Sequence, residues 1–256
     1  MDRCPNCNNE LTGNFCSNCG QKRHELQDRK VSTFVRNFFE ESFSFDSKFL
    51  KTLKYILFRP GFLTYEYIQG RVASYVTPLK MYLFVSVVTF FVTSLINSDD
   101  LKSLSEAFEL KEGQVEKYIM NTGIQYEVFE TRFNNEYQAK LPLYFLMLMI
   151  LFSLPLKVIY LNTKRLYVEH LVFAMHFFTF LLVMVAVSTI TDLIFEDSTL
   201  FFVCVVPFFY LFFAIKNAYG QKLSLTFFET VIMYLYFIGL LFLWVVAVFL
   251  ITMLIV

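Results

Sequence analysis

Glycine and charge are both scarce in this chain of 256 residues. Eight glycines leave little material for a Gly-rich catalytic loop, and neither a nucleophile elbow nor a paired-carboxylate motif is present, which disfavours an enzyme. Charged residues make up 17% of the chain, whereas soluble domains carry about a quarter. With 56% hydrophobic residues and 33 phenylalanines, several apolar runs exceed the ~18 residues that mark a membrane-crossing helix. A water-soluble globular enzyme is thereby excluded. The net charge of zero argues for no bulk acidic or basic partner.

Four of the five cysteines form two CxxC pairs, Cys4-Pro5-Asn6-Cys7 and Cys16-Ser17-Asn18-Cys19. Each pair can offer two thiolates from a tight knuckle. Four thiolates fill the tetrahedral shell of Zn²⁺ and leave no open position, so the pattern predicts a structural zinc ribbon. Gly20 follows where a knuckle needs a residue tolerant of positive φ. A disulfide-bonded tip or a redox CxxC competes with this reading, but no strand-helix redox context surrounds the cysteines. So short a segment has little core, so metal binding and folding are expected to be one event. Cys204 lies in an apolar run and reads as a small buried hydrophobe. No signal peptide is expected ahead of the ribbon, because the first long apolar run begins near Pro78. Persistent thiolates suit a reducing compartment, which puts the amino terminus in the cytoplasm.

The apolar runs give five expected spans at Thr77–Ile96, Leu141–Leu161, Glu169–Phe195, Thr199–Ile215 and Phe227–Val256. Lipid offers no partner to an open backbone, so all five should be helices. Of the 22 basic residues, twelve lie in the chain up to Lys80 and five more (Lys157, Lys164, Arg165, Lys216, Lys222) lie at later connections on the same side. The positive-inside rule then agrees with the thiol argument and puts the carboxyl terminus outside. The expected external loop, 97–140, carries nine acidic and five basic residues. Its stripes Leu101/Leu104/Phe108 and Tyr126/Phe129/Phe133/Tyr137 predict two or three short amphipathic helices. No internal repeat is evident.

Between ribbon and first span, Val31–Phe45 carries a broad apolar face, and Asp46–Phe58 places Phe49, Leu50, Leu53, Ile56 and Leu57 at helical spacing beside Lys48, Lys51 and Lys54. Asp46 suits an N-cap, and Pro60-Gly61 should stop the helix at Arg59. Lys48, Lys51, Lys54, Arg59 and Arg71 are the expected membrane-interface residues. Insertion in lipid and packing beneath the bundle both fit this segment.

The stretch Phe45-Asp46-Ser47-Lys48-Phe49-Leu50, then Arg59-Pro60-Gly61, Tyr67-Ile68-Gln69-Gly70-Arg71, Tyr75, Pro78, Tyr82 and Ser86 resembles the bacterial membrane family known as domain of unknown function 3667. That resemblance implies an N-terminal zinc ribbon joined to a multi-span region. It extends over nearly the whole chain and is most specific over residues 4–86. Family members often carry further basic residues after the glycine matching Gly70. Here Val72, Ala73 and Ser74 follow Arg71, which argues against a strong phosphate-binding role for that turn. The family's Glu-His opening to the third span, with a second histidine beyond it, is matched by Glu169, His170 and His176.

Ionisable groups in lipid are costly and default to functional candidates. Glu169, His170 and His176, with Glu229 from the last span, make a candidate polar site near the cytoplasmic mouth. Glu169 and His176 share a helix face but stand about 10.5 Å apart along the axis. The bland reading of the same residues is interhelical hydrogen bonding by the histidines and a Glu169 at the interface. Asp192 and Lys157 read as interfacial.

The sequence therefore predicts an all-α integral protein of the inner (cell) membrane. Residues 1–23 form the zinc ribbon, 24–76 an amphipathic juxtamembrane segment, and 77–256 a five-helix transmembrane bundle with the external helical loop. Its function reads as a non-enzymatic protein whose ribbon docks a protein partner or assembles a complex. The rival is a small transporter or channel using the Glu/His site. The lipid bilayer is the certain neighbour. Nucleic acid is disfavoured, since within Met1–Arg23 only Arg3, Lys22 and Arg23 are basic. The sequence assigns neither an oligomeric state nor a transported solute.

Overall fold

The computed structural model of the chain describes residues 3–23, 47–96, 126–195 and 201–255. Among the described residues eight helical segments follow the four-cysteine cluster. They are α1 (Ser47–Phe58), α2 (Phe62–Ile68), α3 (Pro78–Ile96), α4 (Tyr126–Ile159), α5 (Tyr167–Thr191), a π-helical turn (Phe201–Val205), α6 (Val206–Tyr219) and α7 (Leu223–Ile255). The expected Val31–Phe45 segment, the Asp46 cap and the Leu101/Leu104/Phe108 stripe lie outside the described residues.

Among the described residues four helices are long and apolar enough to cross a membrane: Pro78–Ile96, Tyr167–Thr191, Phe201–Tyr219 and Leu223–Thr252. The expected second span is the apolar part, Leu143–Ile159, of the 34-residue α4. The five expected runs thus correspond, among the described residues, to four helices of membrane-crossing length and one shorter apolar stretch. The expected short helix around Phe129 and Phe133 is the start of α4, which continues past Lys140 without a break. Good helix formers bridge the polar and apolar halves, and no glycine interrupts them.

α4 and α7 run antiparallel along each other. Phe133 meets Phe249 at 5.7 Å between ring centroids, the Trp244 indole N–H donates to the Tyr144 carbonyl at 2.9 Å, Tyr236 donates to the Leu151 carbonyl, and Tyr160 donates to Glu229. At ~1.5 Å per residue each helix is about 50 Å long, well beyond a hydrocarbon core of about 30 Å. Each must therefore tilt or emerge.

α5 is the central helix. Of its membrane-length window 72% is buried, against 22–33% for the other three. A helix apolar on every side suits that place, because it has no polar face to turn outward. Its neighbours enclose Phe173, Phe177, Phe178 and Leu182, and Thr89 of α3 donates to the Leu182 carbonyl at 3.1 Å. α6 starts with a π-helical turn because Pro207 sits at its second position. Proline lacks an N–H and its ring crowds the carbonyl four residues back, so the preceding ladder widens. Cys204, in that turn, is exposed on the outer surface of the bundle, not buried as its apolar run suggested. Its carbonyl accepts a hydrogen bond from Tyr234.

α1 and α2 lie across one end of the bundle. Thr52 and Ile56 are buried, Phe49 meets Phe84 edge-on at 4.6 Å, and Leu50 and Phe58 remain exposed. One side of α1 thus packs beneath the bundle through Thr52 and Ile56, while Leu50 and Phe58 face outward, so both expectations for this segment stay open. Between α1 and α2, Gly61 has φ +78°. A Cβ at Gly61 would fall 2.3 Å from the Ala214 carbonyl oxygen of α6, so only glycine fits this turn. Asn217 of α6 donates to the Pro60 carbonyl at 2.9 Å and closes the same junction.

Candidate metal centre and buried polar site

The two CxxC pairs fold alike. In each, the first cysteine N–H donates to a carbonyl five residues on, and the residue four positions on returns an N–H to the cysteine carbonyl. These bonds are Cys4 to Asn9 with Asn8 to Cys4, and Cys16 to Gln21 with Gly20 to Cys16, all at 2.8–2.9 Å. Asn8 (φ +62°) and Gly20 (φ +70°) hold equivalent left-handed positions. Asparagine tolerates that region better than most side chains, and this is how the first knuckle forms without glycine. Single antiparallel bridges, Arg3 with Glu10 and Phe15 with Lys22, close the two hairpins.

The four sulfurs lie within 4.8 Å of one another, with Cys4–Cys19 at 3.6 Å and Cys7–Cys16 at 3.5 Å. A tetrahedron with Zn–S bonds of about 2.3 Å has S–S edges of about 3.8 Å. The donor set and its spacing therefore fit a metal ion such as zinc. Burial pushes the Cys4 thiol up to about 11, while the Asn9 backbone N–H, the largest influence on Cys7, draws that thiol down to about 6. A bound cation would favour the thiolate at all four. Among the described residues this is the one group of three or more His, Cys, Asp or Glu close enough to hold a metal; Glu169, His170, His176 and Glu229 form no such group.

The ribbon is seated on the turn that follows α2. The side chain of Gln21 is buried, and its Oε1 accepts from the Val72 and Ala73 N–H groups at 3.2 and 2.9 Å, while its Nε2 donates to the Lys22 carbonyl. Ser74 donates to Asn6 Oδ1 at 3.2 Å. Val72, Ala73 and Ser74 thus receive the ribbon through backbone and hydroxyl groups. Arg71 beside them is held by Glu66 in a two-point ion pair of 2.9 and 2.5 Å.

The intramembrane candidates divide between two places on α5. His176 is buried, and its Nδ1 lies 2.9 Å from Thr64 Oγ1 of α2. A cavity of about 10 Å³ lined by Arg59, Gly61, Thr64, His176 and Tyr210 adjoins it, at the lower limit for one water. One turn and a half earlier, His170 Nδ1 lies 2.9 Å from the Tyr219 hydroxyl. Tyr219 stacks on Tyr160 at 4.1 Å, and Tyr160 donates to Glu229 Oε2 at 2.6 Å. Arg165 covers the Tyr219 ring at 4.8 Å, and Lys157 donates to the Arg165 carbonyl. Glu169 is buried in the first turn of α5, where the helix dipole favours a negative group. The structure thus brings His170 and Glu229 into one cluster through two tyrosines and assigns His176 to α2. It does not gather all four around one point.

Thr64, Tyr160, Tyr219, Arg165, Gln21 and Asn8 carry these arrangements, and of these the sequence marked only Arg165, as a basic residue of a connection. The His176–Thr64 pair spans 112 residues and His170–Tyr219 spans 49, so no helical period links them. Of the others, Gln21 alone carried a local signal, as a polar residue directly after the second knuckle.

The expected interface cations differ in their surroundings. Lys48, Lys51, Lys54 and Arg59 are exposed. Lys51 stands 4.9 Å over the Tyr75 ring, and Arg59 lies over Tyr55 and Phe62 at 5.1 and 5.7 Å.

The fold and the site define a class: an all-α, multi-span membrane protein with a four-cysteine cluster that could bind a metal. A family model described as protein of unknown function (DUF3667) matches residues 46–90, from the start of α1 through most of α3. No curated protein and no solved structure matches the chain.

Proposed function

We propose that this is a non-enzymatic membrane protein whose cytoplasmic, zinc-loaded ribbon is a docking or assembly module, coupled to the bundle through α1, α2 and the Gly70–Ser74 turn. The observation that carries the proposal is the Gln21 side chain bridging two backbone N–H groups of that turn. A ribbon with no open metal position does no chemistry of its own. Seated in this way, it can pass the presence of a partner to the membrane helices. The domain limits 1–23, 24–76 and 77–256 follow from the same division of labour.

The cytoplasmic orientation has support from the arrangement of charge. Lys157, Arg165 and Glu229 meet at the bundle end that also carries α1 and α2, whereas Arg132 and Lys140 belong to the far half of α4. Basic residues collected at one end favour that end as the inner one.

Hydrogen exchange on the full-length protein tests the coupling. Chelation of zinc, or Gln21→Ala, should speed exchange at the Val72 and Ala73 amides. Unchanged protection in both would end the docking model. The rival, a small transporter or channel, has the buried Glu229–Tyr160–Tyr219–His170 chain in its favour, and solute flux in reconstituted vesicles decides it.

A further inference from the structure

At the ribbon end of the bundle, α1, α2 and α6 leave a groove of about 520 Å³ lined by Phe58, Arg59, Pro60, Phe62, Tyr65, Phe213 and Asn217. That is the volume of a small-molecule site. Its walls are aromatic, and Phe58 and Phe213 are 75% and 46% exposed. Its one cation is Arg59, placed over the Tyr55 and Phe62 rings. No acidic group pairs with Arg59 among the described residues.

Phe213 and Asn217 belong to the last two turns of a helix long and apolar enough to cross the membrane. The groove therefore stands where hydrocarbon gives way to headgroups. An apolar slot open to acyl chains, with a guanidinium at its polar end, has the chemistry of a phospholipid site. Guanidinium binds a phosphate diester through two N–H donors, and ring contacts hold it in place before the ligand arrives. The junction behind it is closely packed, with Gly61 against the Ala214 carbonyl and Asn217 bonded to Pro60.

We infer that this groove binds one phospholipid, its phosphate on Arg59 and an acyl chain along Phe58, Phe62 and Phe213. The small cavity lined by Arg59, Thr64 and His176 lies directly behind the headgroup position. Lipid occupancy is thereby placed next to the α2–α5 contact, independently of what the ribbon docks.

The test uses the full chain extracted in mild detergent from bilayers containing phosphatidylglycerol, with retained lipid counted by native mass spectrometry. Wild type should hold one phospholipid. Arg59→Gln should lower that occupancy at least fivefold, and Arg59→Lys should restore part of it. Phe213→Trp, which narrows the slot from a different helix without changing charge, should give a similar loss. Lys54→Gln, an exposed cation on the same helix as the groove, should change nothing. Each variant is read only as the monodisperse fraction that keeps the wild-type elution volume. Full retention in Arg59→Gln or in Phe213→Trp overturns the site. So does removal of the lipid by excess inorganic phosphate, which would make the ligand a free anion.

Discussion

Replacing Gly61 by alanine probes how the turn between α1 and α2 is fixed to α6. Two penalties add. With φ at +78°, any L side chain sits in the left-handed region, at a cost of about 1 kcal/mol. The new Cβ would also lie 2.3 Å from the Ala214 carbonyl oxygen and 3.0 Å from its C and Cα atoms. These are backbone atoms of a packed helix and cannot swing aside. Forcing such an overlap costs about 1–3 kcal/mol. The sum is about 2–4 kcal/mol. Gly220 supplies the control, for its φ is +69° and nothing lies within 4 Å of its Cβ position. Gly220→Ala should cost only the backbone part, about 1 kcal/mol. The single tryptophan, Trp244, is bonded to Tyr144 between α7 and α4 and reports on the bundle. Thermal unfolding of both variants in one detergent at one scan rate, followed by its fluorescence, reads the difference. At about 2–4 °C per kcal/mol for a chain of this size, Gly61→Ala should melt several degrees below Gly220→Ala. Equal midpoints would refute the close approach of the Pro60-Gly61 turn to α6.

Further outcomes follow for the other sites. The purified chain should carry one zinc, lost in Cys16→Ser and retained in Cys204→Ala by metal analysis; zinc unchanged in Cys16→Ser would remove the ligand assignment. Thr64→Val should destabilise by about 1–3 kcal/mol, since it strands the buried His176 Nδ1. Adding His176→Phe should then cost less than it does alone, and a double-mutant cycle showing strict additivity would dissolve the pair. Cysteine labelling from outside should reach Asn121→Cys and not Lys164→Cys, with the reverse pattern inverting the proposed orientation.

Local physics made part of this protein legible in its sequence. Cys4, Cys7, Cys16 and Cys19 announce a four-thiolate site because two CxxC spacings each set a knuckle within a few bonds. Long apolar runs announce helices because lipid leaves the backbone no other partner, and the phasing of Ile56 and Leu53 gave α1 its buried side. The tertiary structure decided what depends on residues far apart in the chain. That α5 is the enclosed helix follows from which neighbours surround it, and equally apolar runs cannot rank themselves. Whether residues 126–140 join a span depended on a helix that kept its hydrogen bonds through a change from polar to apolar sequence. His176 and Glu169 share a face of α5, yet His176 bonds to Thr64 while His170 reaches Glu229 through Tyr219 and Tyr160. A helical repeat fixes the direction in which a side chain points. What waits there is set by the packing of other helices, and on that the seating of Gln21 and the single-glycine fit at Gly61 both depend.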